Sequence, residues 1–142
     1  VKVVATLHAD WLTDKAYNVT TDLINSGTEF NYIFANNDMM AQGCYNALKD
    51  AGKENIPIVS TGGSPDGFKM LQDGIEAANM TAPVSIQGVK TFMNLYNKVA
   101  LGEDPAEKFT ALPVIPVSAD DTSSYIAWDD YAAAYKYLGE NK

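Results

Sequence analysis

The sequence predicts an α/β fold, a parallel sheet with helices on both faces. Three observations carry this. The runs KVVATL (2–7), FNYIFA (30–35) and IPIVS (56–60) are almost continuously apolar, as strands buried on both faces must be. The segments between them are apolar at helical spacing. The connections are short and rich in Gly. Strand and helix in strict alternation give a parallel sheet through right-handed crossovers.

The elements follow in order. After KVVATL, Leu12, Ala16, Val19 and Leu23 recur at intervals of four and three, and Gly27 closes that helix. FNYIFA leads into a second helix marked by Met40, Cys44, Leu48 and Ala51, with Gly52 as its stop. IPIVS leads into SPDGFKMLQDG (64–74), where Ser64 suits the N-cap and Pro65 the first helical position. IEAANM (75–80) is an atypical fourth strand, since Glu76 and Asn79 interrupt it. Ile86, Val89, Met93, Tyr96 and Ala100 mark a fourth helix ending near Gly102. FTALPVIPVSADD (109–121) reads as extended, its two prolines suiting an edge or a crossover. A last short helix is expected from Asp129 to Leu138.

The 142 residues are enough for one sizeable core and too few for two. A net charge of −8 disfavours tracking a phosphate backbone, so no nucleic-acid partner is expected for this segment. One cysteine excludes an internal disulfide and a Cys-rich metal site. No apolar run approaches a membrane span. The chain opens on VKVVATL, with no initiating Met and no signal-peptide pattern, which reads as a mature or truncated segment.

In an open parallel sheet, ligands bind beyond the carboxyl ends of the strands. The residues there are His8 and Trp11; Asn36, Asn37 and Asp38; Gly62, Gly63 and Ser64; and Thr81 and Ala82. Each has a plain reading beside the functional one. Asp38 precedes a helix and suits N-capping. Asn37 suits a turn or a ligand contact. Trp11 suits packing, or stacking on a sugar ring. His8 has no carboxylate partner at fixed spacing, which favours a surface or capping role. Gly62 and Gly63 allow a turn, and the helix start at Ser64 offers N–H groups to an anion or a hydroxyl. No P-loop, GxGxxG, metal-ligand spacing or nucleophile elbow occurs. Cys44 lies on the apolar stripe of its helix, as an inert thiol would. An enzyme with a flavodoxin-like sheet therefore lacks its parts. No cofactor and no metal are expected.

The stretch YIFANNDMMAQGCYNALKDAG (32–52), with the turn STGGSPDG (60–67) and the strand DGIEAANM (73–80), resembles the second half of a type I periplasmic sugar-binding protein of the ribose-binding kind. The upstream ATLHADWLTDKAYNVTTDLI (5–24) is similar to that family's aromatic-led helix, so the resemblance covers about residues 3 to 117. It implies a non-catalytic receptor for a sugar or sugar-like molecule, serving an ABC importer through a membrane permease and located in the periplasm or outside the cell, lipid-anchored in a Gram-positive host. It implies that Trp11 stacks on the sugar, that Asn37 bonds its hydroxyls and that Asp38 is the acid opening the helix. Asn suits a polyol because one side chain both donates and accepts.

Two departures accompany the match. The family's sugar-binding Asp falls on Gly62 and its Gln on Ala82, which points away from ribose and leaves Asn79, Thr81 and Gln87 as candidate substitutes. The resemblance also implies that residues 1–142 are a segment of the C-terminal lobe of a two-lobe protein. Residues 83–142 would partly cross toward the other lobe, and association with that missing lobe or with another copy is expected. The effector domain of a lactose-repressor-type regulator, or the receptor of a sensor kinase, would share this fold.

Overall fold

The computed structural model describes residues 1–105, 107, 109–112 and 114–140. Its elements are α1 (Thr13–Asn25), β1 (Ile33–Ala35), α2 (Asp38–Asp50), β2 (Ile58–Gly62), α3 (Pro65–Gln72), β3 (Glu76–Thr81), α4 (Val84–Tyr96), β4 (Ile115–Ser118) and α5 (Tyr131–Glu140). The four strands form one sheet in the order β1-β2-β3-β4. β1 to β3 are parallel, with Ile33 opposite Ile58 and Val59 opposite Ala78. The α/β layering expected from the sequence is the observed fold.

Local chemistry explains the helix ends. The Asn37 side chain accepts from the Met40 N–H at 2.7 Å and starts α2. The Ser64 hydroxyl accepts from the Gly67 N–H at 3.1 Å, with Pro65 at the first helical position of α3. α4 runs on as a π-helical turn, Asn97–Leu101, which stops at Gly102 with a φ of 74°.

Two apolar clusters hold the layers. Ala16, Ala41, Cys44, Leu48 and Ile58 bring α1 and α2 against β2, with Ala35 from β1 and Met70 from α3. Leu71, Ile86, Ile115, Val117 and Ala134 tie α3, α4, β4 and α5 together. The α1–α2 contact is close because Gly43 has no side chain. A Cβ there would lie 2.8 Å from the Ala16 Cβ and 2.9 Å from the Tyr17 nitrogen, and closer still to the Thr13 carbonyl. Gly43→Ala is therefore expected to lower stability by about 1–3 kcal/mol, read as a lower urea midpoint at unchanged slope. An unaltered midpoint would mean that α1 moves aside freely.

Two expectations are corrected. The strand over 2–7 does not form, and residues 1–9 belong to no ladder. Val4, Ala5, Leu7 and Ala9 instead line one wall of a groove of about 170 Å³, facing Tyr32, Ile33 and Phe34 at the free edge of β1. An apolar run supplies strand propensity, but a strand exists only with a neighbour about 4.8 Å away. None stands beside this one, and Val3, Val4 and Leu7 remain exposed. The sheet is also not wholly parallel. β4 runs antiparallel to β3, with Thr81 opposite Ile115 and Ala78 opposite Ser118. It lies at the sheet edge, where Pro116 costs little. Pro113 lies outside the described residues.

Candidate functional site

The turns at the carboxyl ends of β1, β2 and β3 meet, and α1's leading loop joins them. The Asn37 Nδ2 donates to the Trp11 carbonyl at 3.4 Å. The Ser64 N–H donates to Asp38 Oδ2 at 2.7 Å. The Ala82 N–H donates to the Gly62 carbonyl at 3.0 Å. Trp11, Asn37, Asp38, Gly62, Gly63, Ser64 and Ala82 thus share one edge.

Trp11 is not packed. It is 62% exposed, and it follows Asp10 in a left-handed turn, with φ of 47° at Asp10 and 66° at Trp11. Two consecutive non-glycine residues in this region carry backbone strain, which gathers at functional sites. The Lys15 ammonium bonds the Asp10 carboxylate across the turn and, with its charge, holds that carboxyl below its usual range. His8 is exposed on the same approach.

The roles of Asn37 and Asp38 are exchanged relative to expectation. Asn37 is the N-cap, through its Oδ1, and its Nδ2 faces Trp11. Asp38 is the first helical residue and only 5% exposed. Its Oδ1 accepts from Asn79 Nδ2 at 2.7 Å and from Ser60 Oγ at 3.1 Å, and its Oδ2 takes the Ser64 N–H. The carboxylate therefore organises the turns from within instead of facing a ligand. It also occupies the N–H at Ser64 that was a candidate donor to an anion. A fixed negative charge behind that turn disfavours an anionic ligand and suits a neutral one.

Gly62 and Gly63 are required by geometry. Their φ angles are 138° and 72°, which side chains rarely adopt. A Cβ on Gly62 would lie 2.8 Å from Asp38 Oδ2, and one on Gly63 would lie 2.6 Å from the Thr81 Cβ. A side chain at 62 would thus run into Asp38, so the glycine does not by itself open room for a larger ligand.

The candidate substitutes for the missing polar contacts lie elsewhere. The Thr81 hydroxyl donates to the Ile115 carbonyl at 2.8 Å and is buried. Gln87 lines a separate crevice with Lys90, Thr91 and Asn94. Asn79 is buried beneath the edge, where its Nδ2 meets Asp38, Ser60 Oγ at 2.8 Å and Glu76 Oε2 at 2.9 Å. Ser60 Oγ also lies 2.9 Å from Glu76 Oε1, and its single hydrogen serves one of the two carboxyls at a time. Glu76 is 1% exposed. Burial pushes its carboxyl up to about 7; the bonds from Asn79 and Ser60 oppose the rise, and the Asp38 charge adds to it. The interruption of an apolar strand by Glu76 and Asn79 was the one sequence signal for this cluster.

Cys44 is buried, receives the Thr20 hydroxyl at 3.3 Å and is pushed up by burial, in keeping with an inert packing role. No group of three or more His, Cys, Asp or Glu side chains among the described residues can hold a metal ion.

An exposed, strained aromatic thus stands beside an amide on the carboxyl edge of the sheet, the edge at which α/β folds bind ligands. Residues 1–104 match the family described as periplasmic binding protein domain, and the chain belongs to that family. It is 35% identical over 107 residues to the ribose import binding protein of Salmonella typhimurium, covering 75% of this chain and 36% of that protein. It is 37% identical over 86 residues to the D-allose-binding periplasmic protein of Escherichia coli, covering 60% of this chain and 26% of that one. In structure it is similar to a periplasmic solute-binding protein from Actinobacillus succinogenes with bound D-allose, at a TM-score of 0.80 and 23% identity, over 87% of this chain and 44% of that chain. A solute-binding protein from Bacillus halodurans with bound myo-inositol gives a TM-score of 0.76 at 21% identity, over 98% of this chain and 44% of that chain. The matched part spans less than half the length of each of these proteins. All are solute-binding proteins, so the repressor alternative gains no support.

Proposed function

We propose that this chain is the ligand-contacting part of a non-catalytic solute-binding protein that captures a neutral sugar or polyol for an ABC importer. The observation that carries this is Trp11, held outward by a strained turn with the Asn37 amide against its carbonyl. An indole face buries the C–H side of a sugar ring, and an amide answers its hydroxyls. One relative is named for ribose import and another as a periplasmic allose-binding protein, which supports a periplasmic or extracellular location and a permease partner. A lipid anchor would follow in a Gram-positive host. In this reading residues 1–142 form part of the C-terminal lobe, and residues 83–142 include the passage toward the other lobe. The exposed Phe92, Leu95, Tyr96 and Val99 of α4 and its π-helical turn offer apolar surface to that lobe or to a second copy.

Thermal-shift titration of the full-length protein against sugars and polyols tests the reading, since a ligand that binds the native state raises the melting temperature. Trp11→Ala is expected to weaken the best ligand tenfold or more. Unchanged affinity would reduce Trp11 to a surface residue.

A further inference from the structure

The segment joining β4 to α5 lies beyond the residues that match the family in sequence, yet it returns to the candidate site. The Tyr125 hydroxyl donates to the Gly63 carbonyl at 3.0 Å. The Trp128 Nε1 donates to the Gly62 carbonyl at 3.3 Å. The segment is itself held at two points. The Tyr125 ring stacks on Phe68 of α3, with centroids 3.8 Å apart and planes 7° from parallel. The Ser85 hydroxyl at the start of α4 donates to the Ala127 carbonyl at 3.0 Å.

These bonds fix more than two carbonyls. In a trans peptide the C=O and the following N–H point in opposite directions, and the chain has no cis bond among the described residues. Turning the Gly63 carbonyl to Tyr125 therefore aims the Ser64 N–H the other way, and that N–H meets Asp38 Oδ2 at 2.7 Å. The Gly62 carbonyl takes the Ala82 N–H at 3.0 Å, and Trp128 holds it from a second side, which reinforces the direction of the Gly63 N–H. A pair of glycines has wide backbone freedom, which these bonds narrow together with those from the Ala82 N–H and to Asp38. An indole N–H donates and cannot accept, so its bond defines one orientation of that peptide.

We infer that Tyr125 and Trp128 are positioning residues of the ligand site, which set the geometry that the Gly62–Ser64 turn offers to a neutral polyhydroxylated ligand and so contribute to its choice among sugars. The inference rests on the binding reading above. It places a determinant of specificity in a segment more than 60 residues from the turn it controls.

The test uses the full-length protein with D-ribose, D-allose and xylitol as probes. Trp11 and Trp128 are the two tryptophans of these 142 residues, so in a Trp11→Phe background the part of the full-length protein's emission that Trp128→Phe removes reports Trp128. Saturating with the tightest of the three is expected to shift or quench that emission. Trp128→Phe, which keeps a ring and loses the N–H, is expected to change the ratio of affinities among the probes fivefold or more. Tyr125→Phe is expected to do the same while retaining the stack on Phe68. A silent Trp128 signal together with unchanged ratios in both variants would overturn the inference and leave the binding reading standing. Failure of the unaltered protein to bind any sugar or polyol would overturn both.

Discussion

Asp38→Ala is expected to cost the fold about 1–3 kcal/mol, the cost of leaving a buried donor without its partner. The reason is local. Asp38 receives Asn79 Nδ2, Ser60 Oγ and the Ser64 N–H, and it joins the start of α2, the middle of β2, the start of α3 and β3. Alanine leaves the Ser64 N–H without its acceptor, while Asn79 Nδ2 keeps Ser60 and Glu76 and the Ser60 hydroxyl keeps Glu76. Urea unfolding of Asp38→Ala beside the unaltered protein measures this. A loss under 1 kcal/mol would show that the donors find other partners and that the network does not organise the edge. The same variant removes a negative charge beside Glu76, so it also lowers the tendency of that carboxyl to hold its proton.

The second large effect is a dependence of stability on pH that originates in Glu76. Its carboxyl stands near 7 in the folded chain against an ordinary value of 4.5. The folded state therefore binds the proton more tightly than the unfolded chain does. The associated stability is complete below pH 4.5 and is lost as pH rises through 7, a difference of about 3 kcal/mol. Glu76→Gln carries a neutral group at every pH and should not show that loss. The advantage of the variant over the unaltered protein should be near zero at pH 4.5 and grow to about 3 kcal/mol by pH 8. Equal pH profiles for the two proteins would mean that Glu76 is ionised in the folded state and stabilised by its neighbours. The cluster itself favours a proton there. Asn79 Oδ1 is buried without a partner, while its Nδ2 meets three acceptors with two hydrogens. A protonated Glu76 supplies the donor the cluster lacks.

Much of the fold was legible because it depends on local rules. The helix over Met40, Cys44 and Leu48 follows from spacing and its stop at Gly52, and the helix after Ser64 and Pro65 follows from capping chemistry. The strand at 75–80 was legible despite Glu76 and Asn79, and those two interruptions marked a buried polar cluster without revealing its members. KVVATL failed as a strand because pairing is not local: its propensity is real, but the free edge of β1 lies across a groove. The candidate site divides in the same way. Asn37 was legible on this edge from its position after β1, whereas for Trp11 only the family resemblance holds, since no strand precedes it. The inward turn of Asp38, its hold on Ser64, and the approach of Tyr125 and Trp128 were not.

The sequence by itself determined the alternation of helix and strand, the helix ends, and the chemical character of the edge where a ligand would sit, since periodicity, capping and turn geometry act over a few residues. Only the tertiary structure decided which strand ran antiparallel, which acid was buried and which distant aromatic residues pinned the glycine turn. Each of those outcomes depends on hydrogen bonds between residues 16 to 66 positions apart, and no short-range pattern encodes a partner at such distances.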